Sequence, residues 1–287
     1  RVDILRGDNV VKSFANPAPG AALSFTDTPA KGGVLEWTAV AYCGNTPGRK
    51  VRISAFTGTH VTEDVTHLRL SEDPAAPGRV TLSWTAPSKD TEGRSVKPEN
   101  LRYRVLDQNY NLIAFDTPQT SITFQAVPNG TQDFMAYAVF VSTEGGVSDG
   151  ALTQMFPIGK PFSLPWSESF ANGSCEGLIN SEVESGADDL EWSLFNDSFS
   201  EDTRSADGDN GYSGFNARRA GDALRLNTGK FSLAGTAHPV FSFMTYNLLG
   251  ADPTKRDINE LEVFIREAGT SAWTSLKRGT VDELCGG

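Results

Sequence analysis

Cysteine is scarce in this 287-residue chain, which has three: Cys43, Cys175 and Cys285. Their number is odd and their spacing is wide, so they define neither a disulfide framework nor a zinc motif. Two alternatives stay open: Cys175 pairs with Cys285 in the C-terminal part of the chain, or all three are free thiols. The cysteines therefore fix neither the fold nor a metal site.

Catalytic motifs are also missing. A hydrolase triad needs serine, histidine and aspartate brought together beside a recognisable nucleophile motif. The only histidines are His60, His67 and His238, and no G-x-S-x-G, H-E-x-x-H, Walker or dinucleotide-binding pattern occurs. The paired carboxylates Asp188 and Asp189 would suit a glycosidase, but such pairs are common on β-protein surfaces. The sequence therefore predicts a chain without catalytic activity.

Long apolar runs and an excess of basic residues are absent as well. No segment resembles a signal peptide or a transmembrane span, and the chain opens at Arg1 in what looks like the middle of a strand. The net charge of −11 argues against nucleic acid and against an anionic membrane surface as partners. The same excess of carboxylates leaves ligands for a hard cation such as Ca²⁺.

Turn-forming residues and β-branched runs make up the rest of the pattern. The chain has 28 Gly and 15 Pro, and no window offers an uncontested helical period beyond the short stretch Thr280–Cys285. Alternating apolar and aromatic runs between Gly, Pro, Asn and Asp turns are typical of strands. The sequence therefore predicts an all-β protein.

An internal repeat covers the first half of the chain. Four segments recur in the same order about a hundred residues apart, which is the mark of repeated modules. The matched pairs are Arg1–Leu5 with Arg102–Leu106, Val10–Phe14 with Leu112–Phe115, Leu23–Asp27 with Ser121–Phe124, and Trp37–Cys43 with Tyr137–Thr143. The second copy also has two earlier strands, Asp64–Leu70 and Arg79–Thr85. The first copy has no room for them, so it should contain only the later five strands.

The repeat resembles the fibronectin type III fold, a seven-stranded β-sandwich. Trp84, Tyr103 and Val105 carry the resemblance, together with the run Tyr137–Val141, and Trp37 stands in the first copy where Tyr137 stands in the second. The resemblance implies a partial module at 1–58, with an open apolar face, and a complete module at 59–159. We expect these side chains to face the core of the complete module: Val80, Leu82, Trp84, Tyr103, Val105, Val139 and Val141.

The pattern changes after the proline-containing junction Met155–Phe162. The apolar runs beyond it, separated by Gly, Asn and Asp turns, suggest a jelly roll at 160–287. These runs are Leu164–Phe170, Leu190–Leu194, Ala206–Phe215, Asp222–Leu226, Pro239–Tyr246, Leu261–Ile265 and Trp273–Leu276.

This last region resembles the cleaved-adhesin and MAM-like jelly-roll modules of Bacteroidetes exported surface proteins. The resemblance rests on the entry Trp166–Phe170, on Trp192, on the loop Asp207–Gly211, and on Lys230–Gly235 followed by Pro239–Phe243. It implies an extracellular or outer-membrane surface setting, with a jelly roll that lacks its last strands at the C-terminus.

An oxygen-rich turn is the candidate metal site. Asp207, Asp209 and Asn210 stand between glycines, and carboxylate and carbonyl oxygens are the ligands that Ca²⁺ prefers. The resemblance adds Glu168 and Asp189 to this candidate site for a structural Ca²⁺. The alternative is an ordinary β-turn that uses Asp and Asn for their turn conformations.

Aromatic side chains are candidates for stacking on a sugar. Trp84 and Trp192 are expected in the core, whereas Trp166, Tyr212 and Trp273 are freer to be exposed.

The sequence as a whole leaves two functions open: an adhesion or binding array that contacts a host protein or glycan, and a non-catalytic accessory region of a secreted protease or glycoside hydrolase. A structural spacer is a third reading. A catalytic domain elsewhere in the same gene product would separate them.

Overall fold

The computed structural model describes residues 1–196, 210–215, 218–245 and 260–280. It confirms the all-β prediction, because antiparallel strands dominate and the only helical elements among these residues are two 3₁₀ turns, Pro98–Asn100 and Ala171–Gly173. The chain forms two compact units. The first contains residues 1–69, 83–121 and 137–152, and the second contains residues 70–82, 122–136 and 153–287. The predicted module boundaries after residues 58 and 159 stay predictions.

The first 57 residues build one antiparallel sheet of four strands in the order β2-β1-β3-β4. Its strands are β1 Val2–Arg6, β2 Asn9–Phe14, β3 Gly33–Cys43 and β4 Thr46–Thr57. The long β3–β4 hairpin turns at Gly44, whose φ of +58° favours glycine. Among the described strands β4 lies at the edge of this sheet, and most of its residues are exposed.

The next strands form two sheets. One has three strands in the order β5-β6-β9. The other has five strands, with the order β12-β11-β7-β8 and with β13 also paired to β11. Their bounds are β5 Thr66–Glu72, β6 Arg79–Thr85, β7 Arg102–Asp107, β8 Leu112–Thr117, β9 Ser121–Gln125, β11 Tyr137–Thr143, β12 Gly146–Val147 and β13 Ala151–Leu152. A separate ladder joins β10 Gln132–Met135 to β14 Phe156–Gly159. The span 59–159, predicted to have seven strands, therefore contains ten strands, β5 to β14.

The register of the strand pairs confirms the internal repeat. β1 pairs with β3 so that Val2 opposes Ala41 and Ile4 opposes Ala39. β7 pairs with β11 in the same way, so that Tyr103 opposes Val141 and Val105 opposes Val139. Arg6 opposite Trp37 likewise matches Asp107 opposite Tyr137. The two copies therefore share their strand pairing as well as their sequence pattern.

One predicted strand of the first copy is wrong. Leu23–Asp27 forms no strand, so this copy has four strands rather than five. Its equivalent in the second copy, β9, pairs with β6 in the sheet. Leu23–Asp27 joins no ladder among the described strands, and its Asp27 side chain contacts Trp37 and Arg6 of the sheet.

The predicted core of the second copy is confirmed. Val80, Leu82, Trp84, Tyr103, Val105, Val139 and Val141 are all buried. They alternate with less buried residues along β6, β7 and β11, as strands with one buried face require. The Trp84 ring on β6 packs edge-on against the Tyr103 ring on β7, with 5.3 Å between the ring centroids.

The equivalent face of the first sheet is less covered. We call it the open face, and it carries Val2, Ile4, Trp37, Ala39, Val51 and Ile53. Asp27 reaches this face, where its carboxylate accepts hydrogen bonds from the Trp37 ring N–H at 2.7 Å and from Arg6 at 2.8 Å. Burial is instead greatest on the opposite face, at Asp3 and Val40.

The described part of 160–287 forms three two-stranded ladders, β15-β18, β16-β17 and β19-β20. Their bounds are β15 Ile179–Ser185, β16 Ser193–Asn196, β17 Gly211–Gly214, β18 Ala223–Thr228, β19 Glu260–Ile265 and β20 Thr274–Thr280. Two runs expected as strands are not strands, namely Leu164–Phe170 and residues 239–245 of Pro239–Tyr246; Tyr246 lies outside the described residues. The jelly roll stays a prediction.

A hydrogen-bonded network ties residues beyond 160 to β5, β10 and β14 within the second unit. The Lys230 ammonium donates to the Glu72 carboxylate, which also accepts hydrogen bonds from the backbone amides of Gly78 and Gly159. The Gln132 side-chain carbonyl accepts a hydrogen bond from the Lys230 amide at 2.5 Å. Because the Glu72 and Lys230 side chains are largely buried, this network fixes Lys230 against the strands before residue 160.

Candidate functional site

The predicted metal ligand Glu168 is held by its own loop. One carboxylate oxygen accepts a hydrogen bond from the Phe170 amide at 2.8 Å. The other accepts from the Gly177 amide at 2.7 Å and from the Cys175 thiol at 3.2 Å. Burial alone would raise the pKa of Glu168, but these hydrogen bonds outweigh it and hold the pKa below its ordinary value.

Cys175 is a free thiol beside this carboxylate. Burial, and then the hydrogen bond and negative charge of Glu168, raise the pKa of Cys175 to about 11. A thiol with so high a pKa is a weak nucleophile at neutral pH, because the thiolate is the reactive form. Cys285, its suggested partner, lies outside the described residues.

Asp189 and Asn210 occupy other parts of the predicted metal region. Asp189 is exposed and pairs with the Arg218 guanidinium at 2.7 Å, which lowers the pKa of Asp189. Asn210 has a φ of +64°, and the next residue, Gly211, lies so close to Phe170 that a Cβ there would come within 1.9 Å of the Phe170 carbonyl oxygen. Asn210 is therefore next to the segment that contains Glu168.

The described residues do not by themselves complete a calcium site. Both Glu168 oxygens and the Asp189 carboxylate already have protein partners, and no three His, Cys, Asp or Glu side chains cluster within the described ranges. Asp207 and Asp209 lie outside those ranges. The Ca²⁺ prediction thus depends on the turn at 207–210 and stays a prediction.

The aromatic residues proposed for sugar stacking are engaged with other side chains. Trp166 packs on Phe162 and Phe231, with ring centroids 5.8 and 4.9 Å away. Tyr212 stacks on Phe195, with the centroids 5.0 Å apart. Trp192 is only half-buried, whereas Trp84 is buried as expected.

The histidines do not come together either. His60 lies against the Phe56 ring and 3.9 Å from the Glu92 carboxylate, whereas His67 and His238 are exposed. No helix among the described residues is long and apolar enough to cross a bilayer.

A polar cleft that the sequence did not reveal lies between the β15–β18 ladder and the loop that joins β19 to β20. Its volume is about 290 Å³, and we call it the Arg266 cleft. Its walls are formed by Gln154, Met155, Glu182, Glu184, Arg225, Arg266, Ser271 and Trp273.

The β19–β20 loop places Arg266 and Trp273 at its two ends. The loop is closed by a turn in which the Thr270 amide donates to the Glu267 carbonyl at 3.1 Å. Gly269 is the third of the four residues of this turn, and its φ of +82° is a left-handed conformation that favours glycine. The short connection brings the two ends together, and the Arg266 guanidinium lies 4.3 Å from the Trp273 ring centroid.

Two arginines, Arg225 and Arg266, contact the Trp273 ring, but they differ in their ion pairs. Arg225 also contacts this ring, at 4.9 Å, and pairs with Glu184 at 2.6 Å and with Glu182 at 3.5 Å. Arg266 lies over the Phe156 ring at 5.0 Å, and its one polar contact in the described structure is a 3.5 Å contact to the Met155 carbonyl. Burial lowers the pKa of Arg266; the charge of Glu182 opposes this shift and that of Arg225 adds to it.

The sequence carried only a weak indication of this cleft. Glu182 opposes Arg225 in the register of β15 and β18, whereas Glu184 lies at a register irregularity, so its position beside Arg225 does not follow from strand alternation. Arg266 and Trp273 come from a distant hairpin, and no spacing rule connects them to β15.

Comparison with known proteins gives limited information. No family model matches the chain, and no curated protein resembles it closely enough to count as a relative. Solved structures that resemble it include domains A168-A170 from titin, with 12% identity, 56% of this chain and 55% of that chain covered, and a TM-score of 0.31. The chain therefore spans about half of that titin fragment.

Two further solved structures resemble the chain to a similar degree. Rat CD45 extracellular domains d3-d4 match with 13% identity over 53% of this chain and 94% of that chain, at a TM-score of 0.27. The chicken CNTN1 FN1-FN3 domains match with 10% identity over 69% and 68%, at a TM-score of 0.26. Such low scores establish neither a module family nor a function, so the functional proposals depend on the described side chains.

Proposed function

We propose that this chain is a non-catalytic binding region of a secreted or cell-surface protein, an array of β-sandwich modules that contacts a host protein or glycan. The open face of the first sheet is the observation that carries this proposal. Val51 and Ile53 on that face are 63% and 66% exposed. Tyr137 and Val139, which match Trp37 and Ala39 of the open face, are at most 1% exposed. Exposed apolar patches mark interaction sites.

Binding measurements on the whole chain test this proposal. The chain is passed over immobilised extracellular-matrix proteins and a glycan array, and we expect saturable binding to at least one of them. The double variant Val51→Asp/Ile53→Asp should weaken protein binding at least about tenfold, since each change removes one exposed apolar side chain that a bound partner would bury. Val34→Asp is the matched control, because Val34 is 75% exposed on the opposite face of the same strand pair.

Absence of saturable binding to every member of both panels would contradict the adhesion proposal. Equal weakening by Val34→Asp would show that the added charge, rather than the open face, is responsible. The second candidate function is an accessory region of a secreted protease or glycoside hydrolase. It is favoured if the chain fails in these assays and the same gene product carries a catalytic domain.

The finer features of the proposal come from the resemblance to cleaved-adhesin modules. They are a setting at the cell exterior or outer-membrane surface, a jelly roll over 160–287, and a structural Ca²⁺ at the 207–210 turn. The acidic character of the chain, with 36 Asp and Glu against 25 Lys and Arg, is compatible with a cation site.

A further inference from the structure

Within the described residues, the guanidinium of Arg266 has hydrogen-bond donors that no protein acceptor takes up. Phe156 and Trp273 lie against it at 5.0 and 4.3 Å, and ring contacts of this kind hold the group without consuming its N–H donors. Arginine has five N–H donors in a rigid plane. One contact, 3.5 Å long, is made to the Met155 carbonyl. As far as the described ranges extend, the remaining donors are therefore available to a ligand.

The two arginines of the cleft differ in how many carboxylates pair with them. Arg225 faces two carboxylates, Glu182 and Glu184, whereas Arg266 forms no ion pair among the described residues. Because Arg266 is half-buried, the lack of a hydrogen-bonded carboxylate partner among the described residues is costly, since charges removed from water need a partner. A planar carboxylate matches the guanidinium with two parallel hydrogen bonds, which is the strongest pairing available to it.

We propose that the Arg266 cleft binds an acidic sugar, with the sugar carboxylate on Arg266 and its hydroxyl groups on the surrounding polar side chains. Glu182 and Glu184 can accept hydrogen bonds from hydroxyl groups, and Gln154 and Ser271 can both donate and accept. The cleft volume, about 290 Å³, lies at the lower end of small-molecule sites.

The lining favours a sugar over the carboxyl end of a peptide. A peptide terminus brings an apolar or bulky side chain that needs an apolar wall beside the carboxylate site. Here Met155 is the aliphatic member of the lining, and the Trp273 ring is already contacted by two guanidinium groups. Hydroxyl groups around a ring suit the four polar and acidic neighbours better. This inference specifies the glycan branch of the proposed function and rests on it for the biological role.

A titration with small probes tests the inference directly. The whole chain, labelled with ¹⁵N, is titrated with methyl β-glucuronide while the indole N–H signal of Trp273, assigned with Trp273→Phe, is followed by NMR. We expect a saturable shift of this signal. The neutral methyl β-glucoside should bind at least about tenfold more weakly, because it lacks the charge-assisted hydrogen bonds. N-acetyl-diglycine, a peptide carboxylate, should also bind more weakly than the glucuronide.

Three variants identify the binding group. Arg266→Gln should abolish the shift, and Arg266→Lys, which keeps the charge but not the planar pair of donors, should give intermediate affinity. Arg278→Gln is the matched control, because Arg278 is an exposed arginine on β20 that pairs with Glu260. It should leave binding unchanged. Folding of each variant is checked from the dispersion of the same NMR spectra.

Several results would overturn the inference. One is equal binding of the glucuronide and the glucoside. Another is binding of the glucuronide that is unchanged in folded Arg266→Gln or Arg266→Lys. A third is tighter binding of N-acetyl-diglycine than of the glucuronide, which would make the cleft a peptide site. The outcome is separable from that of the adhesion proposal. Binding to a matrix protein without glucuronide binding removes the sugar site alone, and glucuronide binding without any macromolecular ligand removes the adhesion proposal alone.

Discussion

Trp84 contributes a large buried ring to β6, packed edge-on against Tyr103. Replacing it with alanine removes that contact and leaves a cavity, so Trp84→Ala should destabilise the fold by about 3–5 kcal/mol. Urea denaturation measures this change in the free energy of unfolding. Leu152→Ala is the control, since Leu152 is largely exposed on β13 and should change stability by less than about 0.5 kcal/mol. Equal effects of the two changes would contradict the assignment of Trp84 to the core.

Single residues differed in how well the sequence predicted them. Val80, Leu82 and Trp84 alternate along one strand, and a period of two defines a buried face without further information. The partners of Glu168 could not be found in this way. Its carboxylate accepts hydrogen bonds from the amides of its own loop, and that loop conformation, with Phe170 at φ +58°, leaves no regular pattern in the sequence.

Strands depend on their neighbours as well as on their own residues. The apolar alternation at Leu23–Asp27 is like that of β9, yet only β9 forms a ladder, because β6 lies beside it. Residues 239–245 show the same limit, since this apolar run forms no strand and pairs with none of the described strands. The presence of a strand was therefore predictable where both members of a strand pair lie among the described residues.

Calcium binding is a prediction about one turn. If Asp207, Asp209 and Asn210 hold Ca²⁺ in the folded state alone, millimolar Ca²⁺ should raise the melting temperature and a chelator should lower it. The stabilisation would reach about 2.7 kcal/mol when free Ca²⁺ is about a hundred times the dissociation constant. Asp207→Ala and Asp209→Ala should each abolish the difference between the two melting curves.

Asp188→Ala is the control for this experiment, because Asp188 is an exposed acid that does not belong to the proposed ligand set. It should melt as the parent chain does in both solutions. Identical melting of the parent chain with Ca²⁺ and with chelator would make the 207–210 segment an ordinary turn.

For the molecule as a whole, Gln132 is the side chain that connects distant parts of the second unit. Its amide group donates to the carbonyls of Lys160 and Lys230 at 2.9 and 3.2 Å, and its oxygen accepts from the Lys230 amide. Gln132→Ala removes these bonds and should cost about 1–3 kcal/mol, at about 1 kcal/mol for each hydrogen bond.

Hydrogen exchange locates the effect of this change. The amides of Lys230, Phe162 and Ser232 should lose protection in Gln132→Ala. The Lys230 amide donates to Gln132, the Phe162 amide donates to the Lys230 carbonyl, and the Ser232 amide donates to the Phe162 carbonyl. Amides of the β1–β3 ladder should keep their protection. Gln119→Ala, at an exposed loop position, is the control and should leave all of these amides unchanged. Unchanged exchange in Gln132→Ala would show that the network does not hold the segment.

The edge strand β4 affects how copies of this chain behave at high concentration. An unpaired strand edge invites other strands to add to it, which is how chains begin to polymerise. β4 carries Pro47 and three cations, Arg49, Lys50 and Arg52, within the first seven of its residues. Two copies that meet along this edge would bring like charges together and would lack a donor at Pro47. Concentrated salt screens such repulsion, so filament growth through this edge should begin at high ionic strength rather than in dilute buffer.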